Sequence, residues 1–323
     1  MIKKIAIIAG EPNSISSEII FKVWKLKNKF THKSFFIIGN IDLLNKQKKK
    51  LKYILKIKKI NGNLNARELN KNYLPVYNID YKQKKPFEKI NYKSSKYILK
   101  CFDKAINFVK LNKIQGLINC PISKKYLLKN KYDGITELLA EKFKVKGNEV
   151  MLLFNKKLSV SPITTHIPLN KVHHQINKRK IIKKIKIIND FYKLRLKKKP
   201  IIGVLGLNPH SYSEEKKSEE KKIIIPALHI LKKQKIRIVG PIPPDSSFLN
   251  YKQYNLDVVV GMYHDQVLTT FKSLFGYKAV NVTLGLPIVR TSPDHGIAED
   301  IIGKKRANPN SLLEAIKFFN YIK

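Results

Sequence analysis

Cysteine is nearly absent from this 323-residue chain: Cys101 and Cys120 are the only two. A disulfide framework is therefore not expected, and neither cysteine has the spacing of a zinc motif, so a reducing cytoplasm is the expected compartment. Long apolar runs are missing too. No stretch approaches the roughly eighteen apolar residues of a membrane span, which argues against a transmembrane anchor. Lys3-Lys4 followed by Ile5 to Gly10 resembles a signal peptide only superficially, because its apolar core is too short and Gly10-Glu11-Pro12 reads as a turn after a first strand.

Acidic residues and arginine are also scarce. Asp and Glu total 23 against 65 Lys and Arg, a formal charge of +42. Such a charge would ordinarily suggest a nucleic acid or an anionic membrane. Yet only six of the basic residues are arginine (Arg67, Arg179, Arg195, Arg237, Arg290 and Arg306), and nucleic-acid readers favour the arginine fork. The lysines are scattered among Ile, Asn, Tyr and Phe, residue types that share A/T-rich codons, so genome composition accounts for them. The densest runs, Lys46 to Lys59 and Lys193 to Lys199, interleave with Leu and Ile as solvated faces do. Specific nucleic-acid recognition is not expected; weak, salt-sensitive attraction to polyanions is.

Several familiar signatures are absent as well. The first strand is not followed by G-x-G-x-x-G, and no phosphate-binding P-loop, G-x-S-x-G elbow or H-E-x-x-H occurs. What the chain does have is 43% hydrophobic residues and a regular alternation of elements. Strands are predicted at Lys4 to Ala9, Ser34 to Gly39, Gly116 to Cys120, Val150 to Phe154 and Val280 to Leu284. Helices are predicted at Ser16 to Leu26, Ser95 to Asn112, Thr136 to Phe143, Ile181 to Leu196, Lys221 to Lys233 and Ser311 to Tyr321. Asn61 to Asn91, polar and broken by Pro75 and Pro86, reads as loop with a short strand. The alternation implies βαβ units and a largely parallel sheet, hence an α/β fold.

Three further apolar runs each end in histidine: Leu158 to Thr165 before His166, Ile201 to Pro209 before His210, and Leu256 to Tyr263 before His264. Ligands of open α/β sheets bind beyond the carboxyl ends of strands. Three imidazoles delivered there could share one divalent cation and leave a coordination position for substrate; the alternative is three separate capped strand ends. Asp265 and Gln266 follow His264 directly, and Lys272, Asn281 and Arg290 come within one short stretch. Those donors suit a small anion carrying phosphate or carboxylate. Arg290 is the sharper signal, because arginine is so rare here.

Five ordered segments carry a family resemblance. They are Thr164-Thr165-His166-Ile-Pro-Leu, Leu207-Asn208-Pro209-His210, Gly240-Pro-Ile-Pro-Pro-Asp245, Met262-Tyr263-His264-Asp265-Gln266 and Asn281-Val-Thr-Leu-Gly-Leu-Pro-Ile-Val-Arg290-Thr-Ser-Pro-Asp294-His295-Gly296. Together they closely resemble the 4-hydroxythreonine-4-phosphate dehydrogenases of pyridoxal phosphate biosynthesis, over essentially the whole chain. The resemblance implies a two-lobed α/β/α sandwich like that of isocitrate and isopropylmalate dehydrogenases, which bind NAD without the Rossmann glycine fingerprint. The lobes are expected at about 1–125 plus 285–323, and about 126–284. It further implies a divalent metal (zinc, magnesium or cobalt) on His166, His210 and His264, and NAD or NADP as oxidant. Substrate contacts map onto Thr136, Lys272, Asn281 and Arg290, in a homodimer whose active site lies at the interface. The expected substrate is a small phosphorylated hydroxy amino acid, oxidised to a β-keto acid that loses carbon dioxide. Lys272 or Asp265 is the candidate proton acceptor, while Asp245 and Asp265 could instead orient the histidines. His295 is a further polar candidate beside Arg290, equally readable as a turn residue.

The chain also departs from the family pattern. Ile135 stands where the family usually has a histidine, and it cannot donate to a phosphate. The glycine-rich start is Asn13-Ser14-Ile15-Ser16-Ser17 here, and Ser211 to Lys217 replaces a second glycine-bearing loop. Two alternatives follow: a related dehydrogenase acting on another phosphorylated or cyclic hydroxy acid, or a decayed, non-catalytic polyanion-binding protein. His32, His173, His174 and His229 have no motif around them and are expected at the surface.

Overall fold

In chain order the first elements are β1 (Lys4–Ile8), α1 (Ser16–Lys25), β2 (Ser34–Gly39), α2 (Ile41–Lys50), β3 (Ile57–Ile60), β4 (Leu74–Asn78), α3 (Lys93–Lys110), β5 (Gly116–Asn119), α4 (Lys124–Leu128) and α5 (Ile135–Lys142). Then come β6 (Val150–Phe154), β7 (Ser159–Pro162), α6 (Val172–Gln175), α7 (Lys178–Arg195), β8 (Ile201–Leu205), α8 (Ile225–Lys233), β9 (Arg237–Ile242), α9 (Pro244–Ser247), β10 (Val258–Gly261) and α10 (His264–Phe275). The last are β11 (Val280–Leu284), β12 (Val289–Ser292) and α11 (Asn310–Phe318). This computed structural model describes residues 4–29, 34–128, 132, 134–211 and 217–323. His32 and residues 212–216 of the second departing loop lie outside them.

The chain divides into two compact units. The first comprises Met1–Leu139 with Pro287–Asn320, the second Ala140–Leu286 with Tyr321–Lys323. In the first unit the strand order is β3-β4-β2-β1-β5-β12 and every neighbouring pair is parallel. Parallel strands need helical crossovers, which cover both faces, so the strands read as continuous apolar runs. Accordingly Ile5 to Ile8 and Phe36 to Ile38 are all essentially inaccessible.

In the second unit the order is β11-β6-β7-β10-β8-β9. The pairs β7–β10, β10–β8 and β8–β9 are parallel, whereas β11–β6 and β6–β7 are antiparallel. Val160, Leu205, Val259, Val267, Leu268 and Phe271 form its core, which seats α10 against the sheet. Burying each such side chain contributes about 1.5–3 kcal/mol, and that packing holds His264, the first residue of α10, at the end of β10.

Side-chain caps set two of the helix starts. Asn40 caps α2 by accepting from Leu43 N at 2.9 Å, and Asn177 caps α7 by accepting from Lys180 N at 2.9 Å. Ser14 accepts from Ser16 N at 3.0 Å at the entrance to α1. The helix predicted over Lys221 to Lys233 opens with one wide π turn, Glu220–Ile224, before α8. Pro226 lies in the first turn of α8 and has no N–H to close a regular ladder behind it. Strands β3, β9 and β12 are additions to the sequence reading: Ile-Lys-Lys-Ile, Arg-Ile-Val-Gly-Pro-Ile and Val-Arg-Thr-Ser carry too few apolar residues to stand out. Both cysteines are buried and unbridged. Among the described residues no helix is long and apolar enough to cross a membrane.

Candidate active site

In the second unit the loops after β7, β8 and β10 each carry one of the three histidines, and hydrogen bonds lace the loops together. Ile163 N donates to Gly261 O at 2.8 Å, and Thr164 donates to Met262 O through N at 3.1 Å and Oγ1 at 2.8 Å. That joins the His166 loop to the His264 loop. Gln266 makes the second join. Its Oε1 accepts from Met262 N at 2.6 Å while its Nε2 donates to Gly206 O at 2.8 Å, at the head of the His210 loop.

The His210 loop has its own clamp. Glu220, fully buried on the π turn, accepts at Oε1 from Leu207 N (2.7 Å) and Asn208 N (2.9 Å) and at Oε2 from Asn208 Nδ2 (2.9 Å). Asn208 Nδ2 also donates to Glu219 Oε2 at 2.9 Å. A carboxylate receiving this many donors is a strong anchor, and π turns recur at functional sites. His210 itself adopts φ +54°, a left-handed conformation uncommon for a side-chain-bearing residue.

The His166 and His264 rings lie 5.9 Å apart, centroid to centroid. His264 Nδ1 is 2.7 Å from Asp265 Oδ1, a contact that orients the ring and leaves Nε2 for another partner. His210 Nδ1 lies 3.8 Å from Asp245 Oδ2, with both side chains largely exposed (82% and 64%). Imidazole donors with carboxylates behind them suit a divalent cation in kind. In position, two imidazoles are adjacent; among the described residues no three His, Cys, Asp or Glu side chains lie close enough together to hold one ion.

Lys272 sits exposed in the last turn of α10, and Asn281 is the second residue of β11. The Asn281 Oδ1 atom is buried without a hydrogen-bond partner. An orphaned buried acceptor costs about 1–3 kcal/mol.

In the first unit Arg290 lies on β12 beside β5, in register with Leu117. It is 3% exposed, and Asn119 Oδ1 accepts from its Nε at 2.8 Å and its Nη2 at 2.6 Å. Burial pulls the guanidinium pKa down to about 10, partly countered by the charge of Glu137. Thr136 and Glu137 stand in the first turn of α5, with Ile135 buried before them. His295 is half-buried, its Nδ1 3.1 Å from Gly296 O. The exposed His173, His174 and His229 are surface residues, as expected.

A second polar cluster in this unit escaped the sequence reading. Glu11, 1% exposed at the end of β1, accepts from Ser94 Oγ at 2.9 Å and from Asn13 N at 3.3 Å. Burial, with a smaller contribution from Glu299, raises its pKa above the ordinary carboxylate value, while the two donors oppose the shift. Gln83 joins through two bonds to Asn13, of 3.3 and 2.9 Å. The signal available was Gly10, which has φ +79° and where a Cβ would lie 2.5 Å from Pro121 O, leaving no room for a side chain. Asn119 and Glu220 escaped for another reason, as did the tie from Gln266 to Gly206: each acts on a residue distant in sequence.

Residues 31–319 match the profile of a family described as pyridoxal phosphate biosynthetic protein PdxA. A 4-hydroxythreonine-4-phosphate dehydrogenase of Sulfurihydrogenibium sp. (strain YO3AOP1) is 39% identical over 322 residues, covering 97% of this chain and 96% of the relative. Another from Aquifex aeolicus (strain VF5) is 38% identical, covering 98% and 97%. Among solved structures, a 4-hydroxythreonine-4-phosphate dehydrogenase from Klebsiella pneumoniae superposes with a TM-score of 0.87 at 27% identity, over 99% of both chains.

Proposed function

This chain belongs to the PdxA family of pyridoxal phosphate biosynthetic proteins, and from that membership we propose that it oxidises 4-phosphohydroxy-L-threonine at its secondary hydroxyl. As a member of this family the chain is an oxidoreductase. In the proposed reaction the hydroxyl carbon loses a hydride, the hydroxyl loses a proton, and the resulting β-keto acid loses carbon dioxide to give 3-amino-2-oxopropyl phosphate. The observation that carries the reading is the lacing of three histidine-bearing loops through Thr164 and Gln266.

His166, His210 and His264 are the residues that would hold a divalent cation: zinc, cobalt or magnesium. Such a cation supplies Lewis-acid polarisation of the substrate hydroxyl, and NAD or NADP supplies the hydride acceptor. Asp265 fixes the ring of His264, and Asp245 stands behind His210. Arg290, immobilised by Asn119, and Lys272 hold anionic ends of the substrate; Thr136 and Asn281 add neutral hydrogen bonds. Fixing the substrate in this way supplies orientation, a large part of catalysis. The released proton passes to Lys272 or Asp265. The 82% exposure of the His210 side chain in the single chain supports completion of the site by a second copy in a homodimer, because such chemistry requires exclusion of water.

A second reading keeps the chemistry and changes the substrate. Ile135, buried in front of Thr136, offers no donor to a phosphate, which favours a related phosphorylated or cyclic hydroxy acid. The experiment is NADH or NADPH formation from 4-phosphohydroxy-L-threonine, with and without added divalent metal, in wild type and His210→Ala. Metal-dependent turnover that disappears in the variant is expected. No turnover from folded, metal-loaded protein would reject this substrate.

A further inference from the structure

Opposite the histidines, at the amino ends of the parallel strands β7, β10, β8 and β9, the second unit has a cleft of about 410 Å³. Five of its ten lining residues are basic. Lys157 precedes β7, Lys198 and Lys199 precede β8, Arg237 opens β9, and Lys252 lies in the turn before β10. Parallel pairing aligns these strand starts, for Ile201 is in register with Arg237 and Ser159 with Val258. Residues distant in sequence thus gather at one edge.

The one acid in the cleft is already committed. Asp257 pairs with Lys198 and accepts from Ile201 N at 3.0 Å. Lys157, Lys199, Arg237 and Lys252 are exposed and have no acidic partner among the described residues. They include one of only six arginines, the residue type whose fork matches phosphate. The cleft falls in the size range of small-ligand pockets, about 300–1,000 Å³, which favours a compact anion over a polymer lying along a flat stripe.

We propose that this cleft is a binding site for a small, multiply charged phosphate anion, separate from the oxidoreductase site and independent of its substrate. Lys157, Lys199, Arg237 and Lys252 supply the charge, Arg237 supplies bidentate hydrogen bonds, and the Asp257–Lys198 pair holds the floor in shape.

The test is calorimetric titration with sodium tripolyphosphate at about physiological salt, where exposed charges beyond about 8 Å are screened. Wild type is compared with Lys199→Gln/Arg237→Gln and with Lys178→Gln/Arg179→Gln, which removes the same charge from α7. Circular dichroism and thermal melting check that both variants fold. Saturable binding that weakens at least tenfold in the cleft variant and less than twofold in the α7 variant is the expected result. Equal weakening in both variants means diffuse attraction and overturns the proposal, as does the absence of saturable binding to wild type. ATP and a short single-stranded oligonucleotide form the other arms. ATP binding with the same variant dependence supports recognition of the phosphate chain. An oligonucleotide that binds more tightly than tripolyphosphate and shows the same cleft dependence replaces the small anion with a polymer and overturns the proposal.

Discussion

Asn119 Oδ1 accepts two hydrogen bonds from Arg290, at 2.8 and 2.6 Å, across two adjacent parallel strands of the first unit. Buried charge is costly unless it is paired and hydrogen-bonded; Asn119 supplies hydrogen bonds and Glu137 an opposite charge. Asn119→Ala is expected to lower stability by about 1.5–3 kcal/mol, the range for a hydrogen bond to a charged group. It should also reduce kcat/KM at least tenfold, because Arg290 loses its fixed direction. Denaturant melts and steady-state rates check both effects. Arg290→Lys is expected to lose a comparable amount of activity, since a lysine cannot reproduce the fork.

Glu220 gives a prediction about metal. Its carboxylate collects three donors from Leu207 and Asn208, just ahead of His210. In Glu220→Gln one of the acceptor oxygens becomes a donor, which faces donors already in place. Metal affinity is expected to fall about 10–100-fold, the range for losing a residue that orients a ligand. Chelator competition measures this directly. Removing metal from wild type should abolish turnover reversibly, and the variant should need a correspondingly higher metal concentration for recovery. A variant that folds and binds metal like wild type would separate the clamp from the metal site.

The buried Glu11 predicts a pH dependence of stability. Its folded-state pKa is raised, chiefly by burial. The folded state therefore holds this proton more tightly than the unfolded chain does. That contribution is fully present below the ordinary glutamate pKa and is lost as pH rises through the folded value. Glu11→Gln, which stays neutral, should melt close to wild type near pH 4 and above it near pH 8. Thermal melts of the two proteins across that range check the sign; a variant equally shifted at both ends contradicts it.

Gly285 closes the turn after β11 with φ +79°, and a Cβ there would lie 1.9 Å from Asn148 O. The obstacle is backbone, which cannot swing aside as a side-chain tip can. Gly285→Ala is expected to cost roughly 2–4 kcal/mol, the sum of left-handed strain and a displaced strand end. The melting temperature should fall by about 5 °C or more. Gly276→Ala provides the contrast: it shares a positive φ of +50° but has nothing within 4 Å, so its loss should be smaller.

Much of the fold was legible because the deciding patterns are local. Continuous apolar runs such as Ile5 to Ile8 and Phe36 to Ile38 mark strands covered on both faces. The spacing of Ile98, Phe102 and Ile106 marks the inner face of α3. Short, partly polar edge strands such as β3 had no such signature, because an edge strand is held by its neighbour's hydrogen bonds rather than by its own burial. At the site, the histidines were conspicuous because each ends an apolar run. The supports were not: Gln266 reaches Gly206, Glu220 holds Leu207 and Asn208, and Asn119 holds Arg290, each partner 12 to 171 residues away, and nothing local marks what such a side chain will hold.

The sequence by itself determined the α/β class, the strand ends that carry His166, His210 and His264, and the membership of the family. These depend on residue type and on spacing along the chain, which folding leaves unchanged. Only the tertiary structure decided that Arg290 is buried on Asn119, that Gln266 ties two loops together, and that five cations meet at the opposite strand edge. Those outcomes depend on which strands become neighbours and in what register. Backbone hydrogen bonding and packing settle that between segments up to 171 residues apart, beyond the reach of any local pattern.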